Sequence, residues 1–459
     1  MRTIPILAAL LPFLLAAPTH AQDAALIAKG EAVAVAADCA GCHMDRKSGA
    51  LYSGGLALAS PMGDIHVRNI TPDPGTGIGG WSFADFEQAI RNGKSKNVGY
   101  LFPAMPYTSY RFMSDEDLKA LYAFFMKGVK PVEHAVPQTD LGFPFVRPAM
   151  IVWNTFFLNN EKPVAPARAD AKVLRGQYLV QVLGHCGECH TPRGMMMQSR
   201  SGDALLSGGD VAGWRAPNIT SDASGIGEVP DAELKAFLKT GKTTHRIAGG
   251  DMGDAIRRSL STLPDNDIEA MVAFLKATTP VRTAKGAPIV KMVAPLDLAK
   301  VEQPLDRSKA ADASTTDGAK LYLAACASCH GVDGELKSGT RPSLRLNATV
   351  RAASPNNVIQ SIAYGVNLGR LDTTSLMLPF RASLSEAQIA SVASYVRQRF
   401  GGIQGAVTTQ EATDIMKGRI GVPWLIRNAR ILAWLGVAAA VVLAALGLIV
   451  RARRRPSTS

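Results

Sequence analysis

The chain has 459 residues, 50 Lys and Arg against 38 Asp and Glu, a formal net charge of +12, 47% hydrophobic residues and six cysteines. About 410 residues lie between two apolar end segments, which excludes one ordinary domain and allows two or three. The basic excess does not argue for nucleic acid: several of the cations flank the C-terminal apolar segment, and the N-terminus reads as an export signal, so an anionic membrane surface or an acidic partner patch fits better.

Residues 1–21, "MRTIPILAALLPFLLAAPTHA", combine Arg2, an uncharged apolar run and small residues at Thr19 and Ala21. That is the pattern of a secretory signal peptide, with the mature chain beginning near Gln22. A first domain is expected over 22–165. It opens with a helical run containing Gly30 and reaches Cys39, Cys42 and His43 in "ADCAGCHMD". The same C-x-x-C-H spacing returns at Cys186, Cys189 and His190 and at Cys326, Cys329 and His330, so all six cysteines are used in three units.

The spacing has a chemical reason. Two thiols add across the two vinyl groups of a haem, and the adjacent histidine is held under the porphyrin, where its imidazole ligates iron. A zinc ribbon wants its second cysteine pair about 15–20 residues away, whereas Cys39 and Cys186 stand 147 residues apart and Cys186 and Cys326 stand 140 apart. A dithiol redox pair has no need of histidine beside it each time. Three covalently bound haems c are therefore expected, in an exported chain whose cysteines leave none for disulfides.

Further along the first domain comes "NITPDPGTGIGGW". Gly75, Gly77 and Gly80 formally satisfy G-x-G-x-x-G, but no strand precedes them, so the stretch reads as a loop beside a haem and not as a dinucleotide site. Met105, in "LFPAMPY", follows His43 by 62 residues, and "SDEDLKALYAFFMKG" closes the domain as an amphipathic helix started by Ser114 and Asp117. The second domain, 166–300, repeats this order: Gly176, the second haem motif, Asn218 to Thr220 answering Asn69 to Thr71, Met252 placed 62 residues after His190, and "PDNDIEAMVAFLKAT" behind Pro264. The third, 301–405, has Gly318, the third motif, Met377 in "TSLMLPF", and "SEAQIASVASYVRQR" behind Ser385 and Gln388.

A mid-helix glycine costs about 1 kcal/mol against alanine. Its return at Gly30, Gly176 and Gly318 predicts a close crossing of first and last helices, with glycine against an aromatic face. The architecture expected is all-α: three tandem class I cytochrome c domains plus one C-terminal transmembrane helix. A thioether as sixth ligand raises a haem potential relative to a second histidine. Equal spacing in the sister domains therefore nominates Met105 and Met252, and Met377 in the third domain, as axial partners of His43, His190 and His330. His66, His134, His185 and His245 have no equivalents across all three domains and are read as packing or surface residues.

After a juxtamembrane linker at 406–430, residues 431–450, "ILAWLGVAAAVVLAALGLIV", carry no charge over 20 residues. At 1.5 Å per residue they span roughly 30 Å of hydrocarbon. Lys417, Arg419, Arg427 and Arg430 before the helix balance Arg451, Arg453, Arg454 and Arg455 after it, so the signal peptide decides the orientation. It leaves 451–459 as a cytoplasmic tail and the bulk on the periplasmic face of the inner membrane. Sequence adjacency alone puts the third domain beside the membrane helix and the first beside a partner.

Together "NITPD", "GIGGW", "PAMPY", "MSDEDLKALYAFF", "HCGECHTPR", "APNITSD" and the three haem motifs resemble the triple-haem cytochrome c subunits of membrane-bound bacterial dehydrogenases acting on alcohols, gluconate, fructose and sorbitol. The resemblance covers nearly the whole mature chain. It implies an electron-transfer subunit taking electrons from a catalytic large subunit and delivering them to ubiquinone. The C-terminal anchor resembles the flavin-dependent branch, with a small exported subunit; pyrroloquinoline quinone enzymes and molybdenum hydroxylases use related subunits. Met252-Gly253 and Met377-Leu378 depart from the commonest ligand context. No Ser-His-Asp arrangement or spare cysteine nucleophile suggests catalysis by this chain. A haem peroxidase with one five-coordinate iron, and a free-standing cytochrome between a quinol complex and a terminal oxidase, are the rival readings.

Overall fold

The computed structural model describes residues 17–158, 160–283, 315–336, 343–372 and 376–453. Residues 1–16 of the signal peptide expected over 1–21, the boundary expected near 300 and the tail beyond Arg453 lie outside the described residues. The rest is built mainly from helices.

Three helical units repeat one construction. The opening helices are Ala17–Ala36, Ala171–Gln177 continuing as a wider turn over Tyr178–Leu183, and Gly318–Ala325. The closing helices are Asp115–Ala123 with a wide turn Phe124–Gly128, Asp265–Ala277, and Glu386–Arg399. Each closing helix packs on its opening helix. Their starts follow local chemistry: the Ser114 hydroxyl accepts from the Asp117 N–H, Ser385 and Gln388 form a reciprocal capping box, and Pro264 stands at the cap of the second.

The glycines sit where the helices cross. A Cβ on Gly30 would run into the Ala120 carbonyl and stand 2.6 Å from Phe124 Cβ; one on Gly176 would meet the Ala270 carbonyl and Phe274 Cβ at 2.8 Å; one on Gly318 would meet the Ser391 carbonyl and Tyr395 Cβ at 2.9 Å. The backbones touch directly, with an aromatic ring one turn further along. The first two units share one continuous apolar core, joined by Tyr178, whose hydroxyl donates to Asp117 Oδ2 at 2.7 Å. The third unit has its own core and grips the second through Asn357, which exchanges hydrogen bonds with the Arg215 N–H and carbonyl at 2.8 and 2.9 Å.

Three features differ from expectation. The fold is not purely helical: antiparallel hairpins pair Ala57–Ser60 with Gly63–His66, Lys94–Ser95 with Gly99–Tyr100, and Gly209–Val211 with Trp214–Ala216. They arise where long loops double back around the cavity described below and satisfy their own backbone groups. Residues 406–430 are not a linker, because Thr409–Met416 is a helix capped by Thr408 that buries Ala412, Ile415 and Met416 in the third core. Finally, the long helix Trp424–Arg453 is met by the first unit. Arg430 Nη2 donates to the Met62 and Leu141 carbonyls at 2.8 and 2.9 Å, and Phe143 and Trp434 stand with ring centroids 5.5 Å apart. An 18-residue stretch of that helix has a mean hydropathy of 2.5 and is not buried inside the protein, so the helix is long and apolar enough to cross a membrane.

The loop asparagines hold the first two units closed. Asn69 accepts from the Thr71 N–H and hydroxyl and donates to the Val132 carbonyl at 2.8 Å. Asn218 repeats this with Thr220 and the Val281 carbonyl at 2.7 Å. Asn218→Ala leaves these buried partners unpaired and is expected to destabilise the chain by roughly 1–3 kcal/mol. Urea unfolding checks it; a change below about 0.5 kcal/mol, ordinary for surface substitutions, would sink the assigned role.

Candidate haem sites

Each C-x-x-C-H stretch forms one short helical turn directly after its opening helix: Cys39–His43, Gly187–His190 behind Cys186, and Ala327–His330 behind Cys326. The His190 and His330 N–H groups both donate back to the first cysteine's carbonyl at 2.9 Å. One turn brings residues i, i+3 and i+4 onto a single face, so each motif presents both sulfurs and the imidazole to the same side.

All nine of these residues line one continuous, mainly apolar cavity of about 1250 Å³. This exceeds the roughly 300–1,000 Å³ of a pocket for one drug-sized ligand. Met105, Met252 and Met377 lie on its wall as well. Met62 and Met113 do not: Met113 is buried in the first core. Met271 does line the cavity, from the position that Leu121 and Val392 occupy in the other closing helices.

The donor set fits haem. His43 Nδ1 lies 2.7 Å from the Arg68 carbonyl and His190 Nδ1 lies 2.8 Å from the Pro217 carbonyl. A carbonyl only accepts, so Nδ1 carries the proton and Nε2 keeps a free lone pair aimed elsewhere, the tautomer an iron ligand needs. Burial lowers the pKa of both rings, which favours the neutral form. Burial pushes the Cys39, Cys186, Cys189 and Cys326 thiols up to about 12 and Cys42 to about 11. Such sites disfavour thiolates and so suit uncharged thioethers better than a redox dithiol. Among the described residues no three His, Cys, Asp or Glu side chains converge as a metal-binding group.

The other histidines divide by location. His134 Nδ1 lies 3.0 Å from the Ser53 carbonyl, and the His245 carbonyl accepts from the Ala348 N–H at 2.9 Å; neither lines the cavity. His66 and His185 do. His66 ends the strand leading to Arg68, on His43's own side, and the half-buried His185 ring stands edge-on to Tyr110 at 5.5 Å. Two further residues escaped the sequence reading. Asn347 in the third unit accepts from the Thr349 N–H at 2.8 Å, a third copy whose only signal was the short N-x-T. Glu188, inside the second motif, accepts from Thr108 Oγ1 at 2.6 Å and pairs with Arg193 at 3.0 Å, tying this motif to the short helix Tyr107–Tyr110 after Met105.

Residues 27–128 match the cytochrome c family model, and residues 313–396 match that of subunit III of cbb3-type cytochrome c oxidase. The fructose dehydrogenase cytochrome subunit of Gluconobacter japonicus is 41% identical over 86% of this chain and 84% of its own length. This chain belongs to the cytochrome c subunits of bacterial dehydrogenases. The gluconate 2-dehydrogenase cytochrome c subunit of Pantoea cypripedii is 37% identical over 89% of the chain and 93% of its own. A nicotinate dehydrogenase subunit of Pseudomonas putida is 36% identical over 82% of this chain but only 30% of its own length. As a cytochrome c of this family, the chain carries covalently bound haem c.

Proposed function

We propose that this dehydrogenase cytochrome c subunit carries three covalent haems and passes electrons from a periplasmic dehydrogenase to ubiquinone in the inner membrane. The observation that carries the reading is the continuous cavity onto which three C-x-x-C-H turns and three methionines open, each turn next to the same glycine-centred helix crossing. In this reading the units 22–165, 166–300 and 301–405 are three class I cytochrome c domains.

Cys39 and Cys42, Cys186 and Cys189, and Cys326 and Cys329 would each hold one haem, with His43, His190 and His330 as iron ligands. Met105, Met252 and Met377 would supply the other iron ligands, neutral thioethers that raise the potential relative to a second imidazole. Bound haem supplies a one-electron iron couple. The protein's part is to fix the ligands, exclude water with an apolar wall, and keep both ligand sides closed to substrate.

The helix Trp424–Arg453 anchors the chain, with the haem units on the periplasmic face. The fructose and gluconate dehydrogenase relatives support a partner that oxidises a sugar or sugar acid; by family resemblance, which extends to alcohols, it is a flavoprotein accompanied by a small exported subunit, with pyrroloquinoline quinone as the variant. The nicotinate dehydrogenase relative supports a second reading, a molybdenum hydroxylase as partner.

The test is to solubilise membranes in mild detergent, capture this chain by a tag, count its haems by pyridine haemochrome, and identify companions and their cofactors by mass spectrometry. Three haems and a large subunit with flavin are expected. A chain carrying its haems but arriving alone would overturn the dehydrogenase role in favour of a free-standing shuttle.

A further inference from the structure

We infer that residues 142–157 of the first unit form a second membrane contact, seated in the headgroup and acyl boundary of the bilayer beside the C-terminal helix. The inference rests on that helix lying in a membrane, as proposed above.

Residues 141–158, "LGFPFVRPAMIVWNTFFL", hold a single charged residue, Arg147. It is turned inward: its Nη1 donates to the Tyr100 carbonyl at 2.9 Å and its guanidinium stands 5.0 Å over the Phe102 ring. The helix Ala149–Phe157 uses one face on the protein, where Trp153 Nε1 donates to the Met196 carbonyl at 2.9 Å and Asn154 Oδ1 accepts from the Tyr107 hydroxyl at 2.8 Å. Its other face presents Ile151, Val152 and Phe156, which are 48%, 60% and 75% exposed. Thr155, between them, spends its hydroxyl proton on the Ile151 carbonyl at 2.8 Å. Phe143 and Val146, just upstream, are also exposed.

A contiguous apolar face of this kind marks an interaction site, and its position says with what. Phe143 packs on Trp434, and Arg430 is bonded to the Leu141 carbonyl. Trp434 is the fourth residue of the uncharged stretch 431–450, about 5 Å along the axis from its start at 1.5 Å per residue, the depth at which aromatic side chains gather at a membrane surface. Phe143 is therefore held at that depth, and the chain that follows it lacks any outward charge that water would retain. An uncharged helix face continuous with a membrane helix suits insertion into the plane of the interface. The first unit would then be fixed to the bilayer at two places, which sets its orientation as well as its proximity.

The test uses the detergent-purified full chain, with any bound partner, in liposomes containing a phospholipid with a diazirine on its acyl chain. After illumination, lipid adducts are mapped by mass spectrometry. Adducts on 142–157 as well as on 431–450 are expected. Val152→Ser with Phe156→Ser should cut the adducts on 142–157 several-fold, leaving those on 431–450 and the haem spectrum unchanged. Wild-type adducts confined to 431–450 would overturn the inference while sparing the anchor, as would 142–157 protected by a partner protein. Adducts on neither segment would overturn both.

Discussion

Gly176→Val is expected to abolish stable packing of the second unit, with a loss at or above the upper end of the ~1–3 kcal/mol typical of overpacked cores. Most core substitutions find relief in a side chain that swings aside. Here the obstacle is the Ala270 carbonyl, fixed inside the closing helix Asp265–Ala277, with Phe274 Cβ 2.8 Å from the new atom. Relief requires the two helices to separate. The haem motif begins only ten residues after Gly176, so a displaced opening helix also misplaces Cys186. Because the first two units share one core, the loss should spread: against a total of ~5–15 kcal/mol for a typical domain, the variant should unfold at much lower urea and carry fewer haems. Gly80→Ala, where an added Cβ meets nothing within 4 Å, is the matched control and should stay within about 0.5 kcal/mol of wild type. Equal urea midpoints and haem contents for the two variants would refute the crossing as the structural centre of the unit.

The crossing was legible because it leaves local marks: apolar residues at helical spacing, caps at Ser114 and Ser385, and a glycine where alanine would be the cheaper choice. The motif turns were legible for the same reason, since C-x-x-C-H already sets one face of one helical turn. The packed helix Thr409–Met416 had an equally local signal, Thr408 three residues before Glu411, whose N–H it caps at 3.0 Å. It was hidden because so short a helix next to a basic stretch resembles a tether. The meeting of the first unit with the membrane helix was not legible at all. It depends on Met62, Leu141 and Phe143 reaching Arg430 and Trp434 across roughly three hundred residues of chain, and nothing in the periodicity of either segment encodes that distance. The continuous cavity is a product of packing in the same way.

Met252→Ala is expected to take the second haem out of its low-spin form and lower its midpoint potential, with Met105→Ala and Met377→Ala doing the same for the first and third. The candidates differ in how firmly they are held. Met105 sits in a tight turn, its N–H donating to the Phe102 carbonyl at 3.1 Å and its carbonyl accepting from Tyr107 at 2.8 Å. Met377 is pinned by a reciprocal bridge to Val366, at 2.8 and 3.0 Å. Met252 lies in the first turn of the helix Gly250–Arg258. The discriminating variant is Met271→Leu, because Met271 also lines the cavity. Its sisters Leu121 and Val392 have no sulfur to offer iron, so a packing role is expected of that position. A volume-conserving change there should cost less than ~1.5 kcal/mol and leave the spectrum intact. Met252→His should restore the low-spin form at a lower potential, within the ~0.8 V span over which axial ligands set haem couples. Ligation by Met252 is refuted if its alanine variant keeps the wild-type spectrum, and a spectral change in Met271→Leu instead would move the ligand to the closing helix.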